Sequence, residues 1–116
     1  MPGHKRSEVW LADLNPRFGT WAGKTRPVLV VQRNVLNAVH PSTIVCPVTS
    51  KITPESELLR VRVPKGKAGL EKDSDIMIDQ LRAIDNKRLL RKLGALPKDL
   101  SEHVKENLIA VLGLDL

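Results

Sequence analysis

The sequence predicts a β-rich α+β fold, a small and strongly bent antiparallel sheet or partial barrel with a C-terminal helix. Short apolar or alternating segments recur between turn-forming residues, which is typical of small all-antiparallel sheets. The alternation breaks near Asp79 and Gln80, which indicates a bend or bulge. The stretch 97–112 has apolar residues at helical spacing. We expect residues 1–116 to form a single domain, because two halves would each be too small to bury a useful core.

Five strands are expected from the pattern of apolar residues. Alternation indicates a first strand and a half-exposed fourth one, whereas continuous β-branched runs indicate that the second and third are buried. A fifth, longer strand carries the bend, and one or two helical turns follow the second strand. The expected strands are 8–13, 27–32, 43–48, 59–63 and 74–84, and the helical turns lie within 34–39.

The C-terminal helix is expected to begin at Pro97, since proline is favoured in the first turn. Its apolar face comprises Leu100, Val104, Leu108 and Val111. A small domain that exposes such a face, especially over 108–112, would gain from a symmetric partner, so a homodimer is expected. The basic segment 87–92 before the helix is assigned no element.

Composition and charge exclude several classes of protein. The longest apolar runs are far too short to span a membrane, and no apolar stretch follows the N-terminal basic residues, so we expect a cytoplasmic protein without membrane contact. Cys46 is the only cysteine and lies in an apolar strand, where a packing role is expected. No cluster of potential ligands has metal-site spacing, so no metal and no cofactor is expected. The net charge of +6 suits a polyanionic partner.

Three blocks of sequence resemble the MazF/PemK family of toxins. The first runs from Glu8 to Pro16 and resumes as Gly23-Lys-Thr-Arg-Pro-Val-Leu-Val-Val31. The second is Pro47-Val-Thr-Ser50, and the third is Asp79-Gln-Leu-Arg-Ala-Ile-Asp85 followed by Lys87-Arg-Leu89. Any one block alone would carry little weight, but all three in this order span most of the chain.

The resemblance implies a fold and a function. The fold would be an SH3-like partial barrel that forms a homodimer. The activity would be metal-independent cleavage of single-stranded RNA or mRNA at specific sequences, as the toxin of a type II toxin–antitoxin system. The 2′-hydroxyl would attack its own phosphate and leave a 2′,3′-cyclic phosphate and a 5′-hydroxyl. The second partner would be an antitoxin with an acidic, disordered tail.

Arg26 and Thr49 match the family's catalytic positions. A guanidinium at Arg26 suits two phosphate oxygens, and electrostatic stabilisation is favoured over a general-acid role because arginine is a poor proton donor. Thr49 is too weak a base to remove a proton, so a hydrogen bond to the phosphate or the 2′-oxygen is favoured. The alternatives are a salt bridge that fixes the loop for Arg26 and a turn hydrogen bond for Thr49.

Further residues of these blocks are assigned to substrate binding. Lys24, Thr25 and Ser50 flank the two catalytic candidates. Asp79 aligns with a carboxylate that some relatives use as a base or a substrate contact. Gln80 could read a base edge, and Arg82 could hold a phosphate. For Asp79 and Gln80, a buried polar network that braces the bend is an equal alternative.

Trp21 departs from the family pattern, because relatives usually have a catalytic glutamate at this position. Trp21 is assigned to substrate binding, by stacking on a base. The alternatives are an anchor for the antitoxin and a replacement that weakens the enzyme. The replacement keeps open a second function, that of a weakened or inactive toxin that binds RNA and antitoxin only. A third is a gyrase-binding toxin like CcdB, which shares the fold.

Overall fold

The computed structural model describes residues 3–15, 24–52 and 59–116. These residues form an antiparallel sheet with a long helix at the C-terminus, and two 3-10 turns lie at Ile78–Gln80 and Asn86–Arg88. The strands are β1 (Glu8–Asp13), β2 (Thr25–Val30), β3 (Ser42–Thr49), β4 (Arg60–Val63), β5 (Ser74–Met77), β6 (Arg82–Asp85) and β7 (Leu89–Ala95), and the helices are α1 (Asn34–Asn37) and α2 (Lys98–Leu112).

The sheet has seven strands in the order β4-β5-β3-β2-β1-β7, and β6 pairs separately with β3. Strand β3 organises the bend, because one of its edges serves two partners. Its first half, Ser42–Val45, pairs with β6, whereas Val48 and Thr49 pair with β5. The two halves of β3 therefore belong to differently oriented parts of the sheet. This open, strongly bent sheet confirms the predicted fold class.

Apolar side chains fill both faces of the sheet. One core cluster includes Val9, Leu29, Val48 and Ile76, and the apolar face of α2 packs against it. Val104 is buried there, and the other predicted residues of that face are partly buried in the same contact. The second cluster, on the other face, comprises Trp10, Ala12, Leu14, Val28, Val30, Val45, Ile84 and Leu89. Alternation along β2 and β3 thus assigns each residue of these strands to one face.

The expected elements are confirmed with two exceptions. The predicted strand 74–84 is wrong as one element, because the 3-10 turn at 78–80 divides it into β5 and β6 at the expected break. Strand β7 was not predicted, because exposed basic residues such as Arg91 and Lys92 interrupt the apolar pattern expected of a buried strand. Strand β2 begins at Thr25, two residues before the prediction, and the helix begins at Lys98 with Pro97 as its N-cap.

The helix face predicted to need a partner is already used within the chain. Leu108 and Val111 pack against the first core cluster, whereas Leu112, Leu114 and Leu116 are exposed beyond it. The expected apolar surface is therefore smaller and lies nearer the C-terminus. Among the residues that the structure describes, no helix is long and apolar enough to cross a membrane.

The N-terminal segment is held against the sheet by His4, which is only 4% exposed. Its Nε2 lies 2.6 Å from the Thr43 hydroxyl, and that hydroxyl donates to Oδ1 of Asn86 over 2.5 Å. Because the single hydroxyl proton goes to Asn86, Nε2 of His4 must donate to the Thr43 hydroxyl oxygen. Burial lowers the pKa of His4, and the nearby Glu8 opposes this shift. The ring is therefore neutral.

Candidate active site

An open cleft of about 690 Å³ lies where β2 begins and β3 ends, beside the 69–72 segment. Its apolar lining comes from Leu11, Pro27, Val48, Leu70 and Leu93, and its cationic lining from Lys24, Arg26, Lys51, Lys72 and Arg91. Glu71 is the one acidic residue among the described lining residues. Five cations against one carboxylate favour an anionic ligand.

Arg26 and Thr49 both line this cleft, and the sheet register explains why. Strands β2 and β3 pair Val28 with Pro47. Arg26 and Thr49 each lie two residues from this pair, so alternation gives them the same faces of their strands as Val28 and Pro47. Both side chains are half-buried. A cationic fork and a hydroxyl therefore stand side by side on neighbouring strands.

The Thr49 hydroxyl already accepts one hydrogen bond, from the backbone N–H of Lys51 over 3.1 Å. This is the turn interaction that the sequence left as an alternative to catalysis. A hydroxyl oxygen can accept and donate at the same time, so its proton is still available for a phosphate oxygen. The turn bond fixes the oxygen at the mouth of the cleft. The two interpretations are thus compatible.

Lys24, the residue before β2, is held by hydrogen bonds to the residues that follow β1. Lys24 has a left-handed backbone with φ of 64°, and its N–H donates to Oδ1 of Asn15 over 2.7 Å. Its carbonyl accepts from Leu14 N–H over 2.8 Å. Arg88 donates to the carbonyls of Asp13 and Asn15. Lys24 and the residues after it therefore enter the cleft from a defined backbone. Trp21 lies outside the described residues.

The structure separates the predicted site residues into two groups. Lys24, Thr25 and Ser50 line the cleft beside Arg26 and Thr49. The other three, Asp79, Gln80 and Arg82, are not among its lining residues.

The separated residues belong to the turn between β5 and β6 and to the start of β6. Asp79 is exposed and lies near enough to Cys46 to contribute to the shift in its pKa. Arg82 pairs with Val45 on β3, and burial followed by the nearby Arg88 lowers its pKa. Their assignment to substrate binding stays a prediction.

Three cations of the cleft were not predicted from the sequence. Lys51 directly follows Ser50, the last residue of the second block, and that block could have drawn attention to it. Lys72 and Arg91 come from distant parts of the chain, and Arg91 lies on the strand that the sequence did not reveal. Their positive charge was visible, but only the strand order places them at this cleft.

Cys46 has the packing role expected of it. The side chain is fully buried, and burial, with a smaller contribution from Asp79, raises the pKa of its thiol to about 12. The thiol therefore stays protonated and unreactive at neutral pH. Within residues 3–15, 24–52 and 59–116, no three His, Cys, Asp or Glu side chains are grouped so as to hold a metal ion.

The sequence and the fold of this chain have counterparts among known proteins. A model of the PemK-like, MazF-like toxins of type II toxin–antitoxin systems matches residues 5–112. The chain belongs to this family. Among curated members, it is 36% identical over 110 residues to a protein of Bacillus subtilis named endoribonuclease EndoA. That match covers 95% of each chain.

Solved structures of family members have the same fold. MazF from Deinococcus radiodurans superimposes with a TM-score of 0.81 at 24% identity, and the match covers 95% of this chain and 96% of that one. The crystal structure titled MazE-MazF from the same organism contains a chain that matches with a TM-score of 0.78 at 25% identity. It covers 96% of both chains. The fold of this PemK-like toxin is therefore that of the MazF structures, an open sheet with a C-terminal helix.

Proposed function

We propose that this toxin is a sequence-specific endoribonuclease that cleaves single-stranded RNA without a metal ion. The pairing of Arg26 with Thr49 in one cationic cleft carries the proposal. A phosphate placed there would meet a guanidinium and a hydroxyl from adjacent strands, with lysines on either side. The similarity to a protein named as an endoribonuclease supports the same activity.

The chemistry that we propose uses the substrate's 2′-hydroxyl as nucleophile. It loses its proton to solvent and attacks the adjacent phosphorus, the bond to the 5′-oxygen breaks, and that oxygen takes a proton from solvent, so the products are a 2′,3′-cyclic phosphate and a 5′-hydroxyl. Negative charge grows on the non-bridging oxygens as this bond exchange proceeds. Arg26 stabilises that charge as a fixed cation, and Thr49 donates a hydrogen bond to one of the same oxygens.

The proposed partners follow from the charge of the cleft and from the relatives. An antitoxin with an acidic, disordered segment would compete with RNA for the same cations. The structure titled MazE-MazF from D. radiodurans supports pairing with an antitoxin. We also propose a homodimer in the cytoplasm, where mRNA is found. The exposed Leu112, Leu114 and Leu116 supply apolar surface for a symmetric contact.

The test is cleavage of a long RNA in excess chelator, with the 5′ ends of the fragments mapped. The wild type should cut at one short motif, and Arg26→Ala should lose at least about 100-fold in rate, as expected when a preorganised charge is removed from a transition state. Thr49→Val, which keeps the side-chain shape, should lose about 10-fold or more, as for one neutral hydrogen bond. Arg33→Ala, at an exposed arginine outside the cleft, is the control.

The same assay addresses Trp21. Cleavage by the wild type would mean that tryptophan is compatible with activity at this position. Cleavage only by Trp21→Glu would mean that the site is intact but weakened in this chain. If neither protein cuts RNA, the endoribonuclease proposal is wrong. Loss of gyrase activity with intact RNA would then favour the gyrase-binding function.

A further inference from the structure

A single row of side chains crosses the sheet from the proposed catalytic residues to the edge strand β4. Thr49 on β3 is the register partner of Asp75 on β5, and Asp75 is the register partner of Arg62 on β4. Directly opposed residues of antiparallel strands project from the same face. The row Thr49, Asp75 and Arg62 therefore extends from the proposed catalytic pair by two charged residues.

Asp75 is an ionisable residue in a very buried position, with only 2% of its side chain exposed. Its Oδ1 accepts a hydrogen bond from Nε of Arg62 over 2.7 Å. Its Oδ2 is also buried, and it has no hydrogen-bond partner in the part of the chain that the structure describes. The carboxylate thus depends on Arg62 for compensation of its charge.

Arg62 is held at one end and exposed at the other. Half of its side chain is exposed, although Nε is fixed on Asp75. Within the described residues, its two terminal amino groups make no hydrogen bond. These groups form the part of a guanidinium that binds phosphate oxygens in pairs. Asp75 therefore orients a cation and leaves its phosphate-binding edge available.

Stability alone is a poor explanation for this pair. A buried ion pair is commonly no more stabilising than two apolar side chains of similar size, because both charges lose their hydration. The flanking positions on the opposite face, Val61 and Ile76, are filled by apolar residues in the usual way. An arginine that is oriented on the same face as Thr49, two strands away, is better explained by the binding of an anionic ligand.

We propose that Arg62, oriented by Asp75, binds a backbone phosphate next to the one that is cleaved. This inference rests on the proposed function, in which the scissile phosphate lies at Arg26 and Thr49. Arg62 is two strands away from Thr49, or about 10 Å between backbones at the usual strand spacing. That separation is too large for both to hold one phosphate through short contacts. The RNA strand would cross the sheet along the row, and Asp75 is a positioning residue that does not meet the RNA.

Direct binding to a single strand tests the proposal without requiring cleavage. The probe is a 2′-O-methyl oligonucleotide carrying a mapped cut site, or oligouridine if the wild type makes no cuts, and its affinity is measured across a range of salt concentrations. Each lost phosphate contact should reduce the salt slope by about 0.7 for a single strand. We expect that reduction, with about 10-fold weaker binding, for the double variant Arg62→Met/Asp75→Val.

The double variant is chosen because Arg62→Met alone would leave a buried carboxylate without its cation and could fail to fold. Replacing both residues with apolar ones removes the phosphate contact and the buried charge together. Arg33→Met is the matched control at an exposed arginine away from the row, and its salt slope should equal that of the wild type. Asp75→Asn keeps the shape of the pair, so it should weaken binding less than the double variant does.

A methylphosphonate scan locates the contact. Neutralising one phosphate at a time should weaken wild-type binding about 10-fold at one flanking position, and the double variant should be insensitive at that same position. In cleavage assays the double variant should raise KM about 10-fold and leave kcat within about twofold, whereas general damage to the site would lower kcat.

The outcomes separate the two proposals. A wild type that binds with this coupling, when neither it nor Trp21→Glu cuts RNA, would overturn the endoribonuclease function and retain the phosphate site. A wild type that cuts RNA, together with a double variant of unchanged salt slope and unchanged methylphosphonate profile, would overturn the role of Arg62. A wild type that does not bind the oligonucleotide would overturn the role of Arg62, and the absence of cleavage by both the wild type and Trp21→Glu would overturn the endoribonuclease function as well.

Discussion

The wall of the cleft depends on a very close approach between the 66–70 turn and β7. Gly69 has a φ of 75°, and a Cβ built on it would lie 2.0 Å from the carbonyl oxygen of Leu93. Across the same contact, a Cβ on Gly94 would lie 2.6 Å from the carbonyl carbon of Ala68. Only glycine fits on either side. Leu70, Glu71 and Lys72 follow this contact and form one side of the cleft, so we expect Gly69→Ala to disturb both stability and activity.

Gly66 is a natural control for this substitution. It lies in the same turn with a φ of 88°, but a Cβ there would meet nothing within 4 Å. Gly66→Ala should therefore show backbone strain alone, about 1–2 kcal/mol, offset by about 0.4–1 kcal/mol from the less flexible unfolded chain. The net loss is about 1 kcal/mol. For a domain of this size, that lowers Tm by about 4 °C.

Gly69→Ala has the same strain and a collision with backbone atoms that no side-chain rotation relieves. Restoring an ordinary contact of 3.4 Å requires the turn and β7 to move apart by about 1.4 Å. We expect a loss of more than about 4 kcal/mol, which is exceptional for one methyl group. Urea unfolding of the two variants in parallel measures the difference. Equal free energies of unfolding for Gly66→Ala and Gly69→Ala would refute the close approach.

Two further predictions concern buried ionisable groups. Because burial raises the pKa of Cys46 to about 12, iodoacetamide should label the native protein at pH 8 many times more slowly than the urea-unfolded protein, and equal rates would contradict its burial. Because the folded state lowers the pKa of His4, the unfolded state binds the proton more readily, and acidification from about pH 7 through the ordinary value of 6.5 should reduce stability. His4→Gln, which keeps a donor for Thr43, should lose less Tm than the wild type between pH 7 and pH 5; an equal loss would show that other groups cause it.

The buried strands could be predicted from the sequence because their patterns are local. The segments 27–32 and 43–48 are continuous β-branched runs, and both are largely buried in the sheet. Strand β7 has no such signal, because only Leu89 is fully buried and its middle residues are basic. Its place in the sheet comes from pairing with β1 across a long stretch of chain. Pairing of this kind depends on tertiary context that a local pattern does not contain.

The N-terminus shows the same limit. The N-terminal residues include His4, Lys5 and Arg6 and no apolar run, so they carry no signal of packing against the sheet. In the structure, however, His4 is buried between Thr43 and the ring of Trp10, whose centroid lies 6.4 Å away. A single histidine is too weak a pattern to predict such a contact. Its hydrogen-bond partner, Thr43, is thirty-nine residues further along the chain.

The residues of the site also differ in whether the local sequence or only the fold reveals them. Arg26 and Thr49 could be proposed because each belongs to a short block that resembles known toxins. Asp75 and Arg62 belong to no such block, and they become neighbours of Thr49 only through the strand order β3-β5-β4. In sequence, Arg62 lies within an alternating strand and looks like an ordinary exposed charge. Its proposed role depends on the carboxylate of Asp75 opposite it, which is buried on β5 between β4 and β3. A cross-strand row can thus extend the proposed catalytic pair without leaving a trace in either local sequence.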